Sequence, residues 1–176
     1  MAIRAPNVDL SAHASIDLDM QIACDAPGVP AVAQFRSWAA ASVEGRGRVE
    51  VVVRVVGEEE GARLNEQYRR GNGATNVLSF PFEAPPQVDS SLLGDVVICA
   101  PVIACEALAQ VKCEESHWAH MVVHGMLHLQ GYDHQTNAQA QLMEARETRI
   151  MAGLGYPDPY RYQDFQGSEC TTPGYT

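Results

Sequence analysis

Three histidines in one short stretch constrain the fold of this chain more than any other feature. The stretch VVHGMLHLQGYDHQ, residues 122–135, places His124, His128 and His134 at spacings of four and six. Its apolar residues predict a buried helix, on which four residues turn about 400° and rise about 6 Å. His124 and His128 therefore share one helix face and can bind a single ion. A ligand six residues later would lie about 240° around a continued helix, so the helix must end before His134.

Gly131 supplies the predicted helix end, because glycine adopts the left-handed conformation that closes a helix at little steric cost. A chain reversal there would bring His134 back toward the helical pair. Three neutral imidazoles leave a fourth coordination position open, which is the ligand set of a catalytic zinc site. We therefore predict a metal site formed by His124, His128 and His134 at the end of a core helix. The alternative is a set of ordinary core or surface histidines.

His117 and His120 extend the histidine stripe toward the start of the same helix. His120 and His128 lie about 12 Å apart along the helix axis, which is too far for one tetrahedral ion. We therefore interpret His117 and His120 as packing groups or as partners that orient the ligands. Asp133 has two interpretations, as a carboxylate that orients an imidazole or as a turn residue bonded to its own backbone.

Strands and helices alternate along the chain and predict an α+β fold, with one small mixed four-stranded sheet and about five to six helices. The predicted strands are residues 16–24, 48–57, 75–83 and 94–100, and the predicted helices are residues 31–43, 58–70, about 102–111, 114–129 and 138–153. Pro81 cannot donate to a strand ladder, so the third strand is expected at a sheet edge. We predict one metal-dependent hydrolase domain over residues 1–156 and a mobile C-terminal tail over residues 157–176.

Composition limits the class of protein. The chain has 176 residues, of which 46% are hydrophobic, enough for an ordinary single-domain core. No early apolar run suits a signal peptide, and none approaches the roughly 18 apolar residues of a membrane span. We therefore expect a cytoplasmic protein with no membrane partner. The five cysteines include no CxxC pair and are expected to be reduced thiols.

The net charge of −10 would ordinarily argue against a nucleic-acid partner. Local charge decides this question, and Arg63, Arg69 and Arg70 fall close together in the sequence. A small basic patch on an acidic body and a solvated surface of mixed charge are both open interpretations.

The histidine pattern HxxxHxxGxxH also resembles the zinc peptidase signature HExxHxxGxxH, in which the Glu after the first His is the general base. Gly125 stands at that position here. Without this base, the metal must generate the nucleophile or the substrate must bring its own, as RNA does with its 2′-hydroxyl. The missing general base therefore makes peptide cleavage a weaker interpretation of the motif and makes phosphodiester cleavage a stronger one.

A wider set of residues resembles one family. HWAHMVVHGMLHLQGYDH, with LNEQYRRGNGATNVLSFPFE and LLGDVVIC upstream, is similar to the bacterial YbeY-type endoribonucleases, the rRNA maturation factor family. The resemblance covers roughly residues 51–160. It implies a single α+β domain, one zinc ion on His124, His128 and His134, and cleavage of single-stranded RNA in rRNA maturation and ribosome quality control. The implied partners are single-stranded RNA, rRNA and the ribosome or its proteins, with no DNA partner expected.

The resemblance also implies that Arg69 binds substrate and supports catalysis. Independently of it, a guanidinium is always charged and pairs bidentately with phosphate. The alternative for Arg69 is an exposed cation at a helix C-terminus. Some relatives carry a lysine where Gly71 stands here, and Arg70 is a candidate for that missing charge.

Two other function classes stay open. One is a metallopeptidase built on the HxxxHxxGxxH site. The other is a non-catalytic, ribosome-associated factor whose metal only braces the fold and whose acidic surface docks on basic ribosomal proteins.

Overall fold

Four strands and five helices make up the part of the chain that the structure describes. The computed structural model describes residues 15–43, 45, 47–88 and 90–161. In chain order the elements are β1 (Ser15–Ala23), α1 (Val32–Ala41), β2 (Arg48–Val56), α2 (Glu58–Arg69), β3 (Val77–Pro81), β4 (Leu92–Cys99), α3 (Ala100–Ala109), α4 (Glu114–Leu129) and α5 (Asn137–Gly153). The predicted α+β fold with one mixed four-stranded sheet is confirmed. Of the predicted tail, residues 162–176 lie outside the described residues.

The sheet has the strand order β1-β2-β4-β3, in which β1, β2 and β4 run parallel and β3 is antiparallel to β4. Alternate residues of β2 and nearly all residues of β4 are buried, as expected for central strands. β3 lies at an edge, as Pro81 predicts, although it is shorter than the predicted 75–83. Pro81 pairs with Gly94, where φ is +134° and a side chain would overlap the Phe80 carbonyl oxygen.

Helix α4 is the central helix of the fold. It packs on β3 and β4 and contacts α1, α3 and α5. Trp118, Val122 and Met126 on this helix are all buried. Phe35 of α1 meets Trp118 edge to face, with 5.7 Å between ring centroids. A helix enclosed in this way has little freedom to shift, so the side chains at its C-terminal end are held in place.

Gly125 allows α4 to approach the sheet closely. A Cβ at this position would lie 2.6 Å from Val96 Cγ1 on β4 and 3.4 Å from Ser79 Oγ on β3. Ser79 Oγ donates a hydrogen bond of 3.3 Å to the Gly125 carbonyl oxygen. This contact sets the distance between α4 and the β3–β4 pair.

The ends of the other helices follow from local chemistry. Three glutamates, Glu58 to Glu60, occupy the first turn of α2, where carboxylates favour the helix dipole. α2 ends at Arg69, and Arg70 takes a left-handed conformation with φ of 53°. Thr136 caps α5 by accepting a hydrogen bond from the Gln139 backbone N–H. In the described part of the chain, no helix is long and apolar enough to cross a membrane.

Among the four cysteines that the structure describes, one differs from the expectation, and Cys170 lies outside the described residues. Cys24, Cys99 and Cys105 are free thiols. Cys113, the residue before α4, is disulfide-bonded, so the expectation of a reduced thiol is wrong there. Disulfide connectivity depends on which distant segments meet in the fold, and the cysteine spacing of this chain contains no signal for it.

We expect Gly125→Ala to destabilise the fold. The added methyl would meet Val96, a buried β-branched side chain that has little rotamer freedom to move away. Overpacking of this kind typically costs about 1–3 kcal/mol in the free energy of unfolding. Urea denaturation of the metal-free protein measures this loss.

Gly153→Ala is the matched control, because Gly153 is also helical and a Cβ there would meet nothing within 4 Å. The control variant should be as stable as the wild type or slightly more stable, since alanine is the better helix former. Equal stability of the two variants would show that α4 does not need its close approach to the sheet.

Candidate metal centre

His124, His128 and His134 meet at the C-terminal end of α4. Their ring centroids lie 4.6 Å (124 to 128), 5.6 Å (124 to 134) and 5.0 Å (128 to 134) apart. Each histidine offers a ring nitrogen within 4.8 Å of those of the other two, and the Nε2 atoms of His124 and His128 are 3.1 Å apart. Two nitrogens on one tetrahedral zinc ion at about 2.1 Å are about 3.4 Å apart. The three imidazoles therefore fit a single zinc ion after small adjustments.

The reversal that brings His134 to the pair occurs at Gly131, as predicted. Gly131 has φ of +92°, just beyond the end of α4. Its backbone N–H donates to the His128 carbonyl oxygen at 3.0 Å, and the N–H of Tyr132 donates to the Leu127 carbonyl oxygen at 3.1 Å. These two bonds form a Schellman motif, which satisfies carbonyl groups left open at the helix end.

The Asp133 side chain bonds to the backbone of the turn and not to a histidine ring. Its Oδ1 accepts a hydrogen bond of 2.8 Å from the backbone N–H of His134. Of the two interpretations that the sequence left open, this bond supports the turn residue. His134 itself is exposed, whereas the rings of His124 and His128 are partly buried.

Glu147 orients His124, a role that was not predicted from the sequence. It lies on α5 with no exposed surface, and its Oε1 is 2.7 Å from His124 Nδ1. A hydrogen bond from Nδ1–H to a carboxylate leaves Nε2 of the same ring as the free donor atom for a metal. This carboxylate–histidine pair is the arrangement that supports histidine ligands in metal sites.

One signal in the sequence could have identified Glu147. It occupies the buried face of α5, together with Met143, Ile150 and Met151. An acid on the apolar face of an amphipathic helix is costly to bury unless it has partners. The sequence gives no indication of which partner this acid meets, because α4 and α5 are brought together only by the tertiary fold.

Burial and neighbours shift the protonation of these groups. Burial alone would raise the pKa of Glu147, but interactions with His120, His124 and Tyr160 outweigh it and lower the pKa to about 2. The pKa of His128 is lowered to about 4, mainly by burial and then by the neighbouring His124 and His134. The carboxylate is therefore charged and the His128 ring neutral near pH 7, as metal ligation requires.

A second set of candidate ligands shares His124. It consists of His120, His124 and Glu147. The 2.7 Å between His124 Nδ1 and Glu147 Oε1 is a hydrogen-bond distance, shorter than the separation of two ligand atoms on one zinc ion. We therefore interpret His120 and Glu147 as groups that support His124, and not as ligands of a second metal ion.

His117 and His120 lie outside the three-histidine group, as their spacing predicts. His120 is buried, and its Nε2 is 3.5 Å from Glu147 Oε1. His117 is also buried, and its Nε2 is 2.7 Å from Glu106 Oε2 on α3. Both therefore interact with carboxylates behind the metal centre.

Arg69 lies at the end of α2 with its side chain exposed. Its positive charge is close enough to His128 to contribute to the lowered pKa of that imidazole. In the described ranges, Arg69 has no ion-pair or hydrogen-bond partner. Its guanidinium is therefore available to an anion bound beside the three histidines.

The loop after α2 explains the glycine at position 71. A Cβ on Gly71 would overlap the side-chain amide of Asn65, which is buried. Asn65 Nδ2 donates a hydrogen bond of 2.8 Å to the Gly73 carbonyl oxygen and so holds the loop. A lysine at position 71 would need a different loop packing, whereas Arg70 beside it is exposed.

We expect His117→Gln to weaken the pH dependence of folding without changing zinc affinity. Burial lowers the pKa of His117 below 6.5 more than Glu106 raises it. Between that folded pKa and about 6.5 the unfolded chain binds more protons, so the free energy of unfolding falls as pH falls. Urea denaturation of the metal-free proteins near pH 7 and near pH 5 should show a larger loss for wild type. Parallel losses in the two proteins, or a variant with weakened zinc binding, would contradict this assignment of His117.

Comparisons with known proteins agree on one family. The family model described as Endoribonuclease YbeY matches residues 30–155. A relative from Methylococcus capsulatus, named Endoribonuclease YbeY, is 57% identical over 146 residues, which cover 83% of this chain and 96% of the relative. A relative from Nitrosococcus oceani with the same name is 52% identical over 149 residues, covering 83% of this chain and 97% of the relative.

The fold has a solved counterpart. The solution structure of TM1509 from Thermotoga maritima is similar to this chain with a TM-score of 0.50 and 25% sequence identity, covering 81% of this chain and 99% of the other. The family match spans all the elements from α1 to α5, including the three histidines, Arg69 and Glu147. This chain therefore belongs to the YbeY endoribonuclease family.

Proposed function

We propose that this chain is a zinc-dependent, single-strand-specific endoribonuclease that acts in the cytoplasm in rRNA maturation and ribosome quality control. One observation carries the proposal: ring nitrogens of three histidines converge near Arg69, which has no ion pair within the described residues, in a chain that belongs to an endoribonuclease family. The relatives that are 52% and 57% identical bear the endoribonuclease name.

The donor set supports zinc as the metal. His124, His128 and His134 would hold one ion per chain, and three imidazoles leave a coordination position for substrate or water. When bound, the ion supplies Lewis acidity toward a phosphate oxygen or a water molecule. Glu147 fixes the His124 ring so that Nε2 faces the other two histidines.

Arg69 supplies the fixed positive charge beside the histidines. Guanidinium stays charged throughout the physiological range and can form two parallel hydrogen bonds to a phosphate. Positioned near His128, it would hold the scissile phosphate and offset the negative charge that develops during cleavage. Arg63 and Arg70, also exposed on or next to α2, add to a local basic surface on a chain of net charge −10.

The open sheet edge supports a single-stranded substrate. In the described part of the chain, no strand pairs with the outer side of β3. α4 packs on β3, and Ser79 on β3 bonds to the helix next to His124. An extended strand can lie along such an edge, whereas a rigid duplex would fit it poorly.

The attacking group is either water or the RNA 2′-hydroxyl, and the reaction products identify it. A 2′,3′-cyclic phosphate on the upstream fragment shows attack by the 2′-hydroxyl. A linear phosphate from the first turnover onward shows attack by water.

We expect Arg69→Ala to lower cleavage of a single-stranded RNA by about 100-fold or more, because one charge that stabilises the transition state is removed. Zinc affinity should stay near the wild-type value, since Arg69 is not a ligand. Single-turnover cleavage of an end-labelled RNA and a zinc competition assay measure the two effects.

Arg63→Ala is the matched control, because Arg63 is an exposed arginine on the same helix. It should keep most of the activity, and His128→Ala should lose both zinc and cleavage. Cleavage that survives both Arg69→Ala and His128→Ala would assign the activity to a contaminating nuclease and contradict the proposal.

The structure weakens the peptidase alternative further. Gly125, at the position of the peptidase glutamate, faces Val96 and Ser79 of the sheet. A glutamate there would point into packed side chains and could not act on a substrate at the histidines. Turnover of casein by the zinc-loaded protein, with no RNA cleavage, would reverse this conclusion.

His134→Ala separates a catalytic metal from one that braces the fold. His134 is exposed and follows the helix, so its removal takes nothing from the core. We expect the variant to keep the wild-type urea midpoint in the presence of a chelator while losing zinc and cleavage. A variant that is unfolded under these conditions would favour the non-catalytic, ribosome-associated factor.

A further inference from the structure

The hydrogen-bond chain behind the metal centre continues beyond α5. The Tyr160 hydroxyl donates to Glu147 Oε2, the oxygen that does not face His124. The Tyr160 ring also meets the His120 ring edge to face, with centroids 5.5 Å apart. Tyr160 lies outside the residues that the family model matches, 30–155. The contact is made by the C-terminal segment, residues 157–161, which follows the part matched by the family model.

Several bonds fix that segment on the domain. Lys112 Nζ, just before α4, donates to the Pro159 carbonyl oxygen at 2.9 Å. Asp158 Oδ1 accepts hydrogen bonds from Thr148 Oγ1 at 3.3 Å and from the Tyr160 backbone N–H at 3.0 Å. Pro159 is buried. The bonds of Asp158 and Pro159 thus fix the backbone next to Tyr160, so its hydroxyl meets Glu147 from a defined position.

The two oxygens of Glu147 have different partners. Oε1 accepts from His124 and lies 3.5 Å from His120 Nε2, whereas Oε2 accepts from Tyr160. The terminal torsion of a glutamate has broad, shallow minima, so contacts at Oε1 alone leave Oε2 free to turn. A second bond on the other oxygen prevents this rotation. The direction in which Oε1 meets His124 Nδ1 therefore depends on Tyr160.

We propose that Tyr160 is a positioning residue for the metal centre, which acts through Glu147 to keep His124 in the Nδ1–H tautomer with Nε2 directed at the ion. The inference depends on the proposed zinc site at the three histidines. It assigns a role in metal binding to the C-terminal segment, which follows the residues 30–155 matched by the family model.

Tyr160→Phe is the most direct variant. It removes one hydroxyl and keeps the ring that packs on His120. Loss of a group that orients a ligand typically weakens metal affinity by 10- to 100-fold, and we expect about 10-fold here because Glu147 itself remains. Glu147→Gln should weaken zinc binding more than Tyr160→Phe does. Competition with a chromophoric chelator, with zinc as the only added metal, measures both affinities.

Tyr156→Phe is the matched control. Tyr156 follows α5 like Tyr160, and its hydroxyl donates a hydrogen bond of 2.7 Å to Glu115. This bond lies at the start of α4, away from the three histidines. The control variant loses this bond and the one that the hydroxyl accepts from Trp38 Nε1 at 3.2 Å, so it perturbs the fold at least as much and should still keep wild-type zinc affinity. Urea denaturation of both variants separates a general loss of stability from a local loss of metal affinity.

The ring tautomer of His124 gives a readout that is independent of metal and activity. Long-range ¹H–¹⁵N correlation spectra of the metal-free full-length protein distinguish a protonated Nδ1 from a protonated Nε2. We expect the Nδ1–H tautomer in the wild type and in Tyr156→Phe, and a mixture of tautomers in Tyr160→Phe.

Wild-type affinity and an unchanged tautomer in Tyr160→Phe would overturn the inference, as would equal losses of zinc affinity in Tyr160→Phe and Tyr156→Phe. If His128→Ala binds zinc as tightly as the wild type does, the proposed zinc site is overturned instead. The tautomer in the metal-free protein would still decide whether Tyr160 positions His124.

Discussion

The close approach of Gly125 to Val96 sets the position of the three histidines that could hold a metal ion. A larger residue at 125 would push α4 away from the sheet, and His124, the preceding residue, would move with it. His128 follows one turn later, and the Schellman motif at Gly131 then carries the chain back to the same point. The distances among the three rings thus depend on a helix that is packed too tightly to shift.

A second constraint acts on another face of α4, where α5 packs against it. Glu147 is a charged group with no exposed surface, and such a group is stable only when hydrogen bonds compensate for lost hydration. Its partners are His124, the buried His120 and a tyrosine from the C-terminal segment. Core packing of α5 and orientation of a ligand are therefore coupled through one carboxylate. Changes at the C-terminal segment can reach the centre by this route without touching any ligand.

Local patterns in the sequence predicted the elements well. The predicted α4, residues 114–129, agrees with the structure because acids begin it and Gly131 follows its end. The edge position of β3 followed from Pro81. Arg69 was selected mainly by family resemblance, and the structure places its charge within the electrostatic reach of His128. Glu147 and Tyr160 were missed because they meet α4 only through tertiary packing, and the strand order has no local signature either.

An X-ray diffraction experiment at the zinc absorption edge on the zinc-loaded protein tests the central claim most directly. We predict one anomalous peak per chain, about 2.0–2.1 Å from one ring nitrogen each of His124, His128 and His134, with Nε2 as the His124 donor. A zinc-loaded crystal without a peak among these three rings, or with the ion bound to His120 and Glu147, would contradict the account.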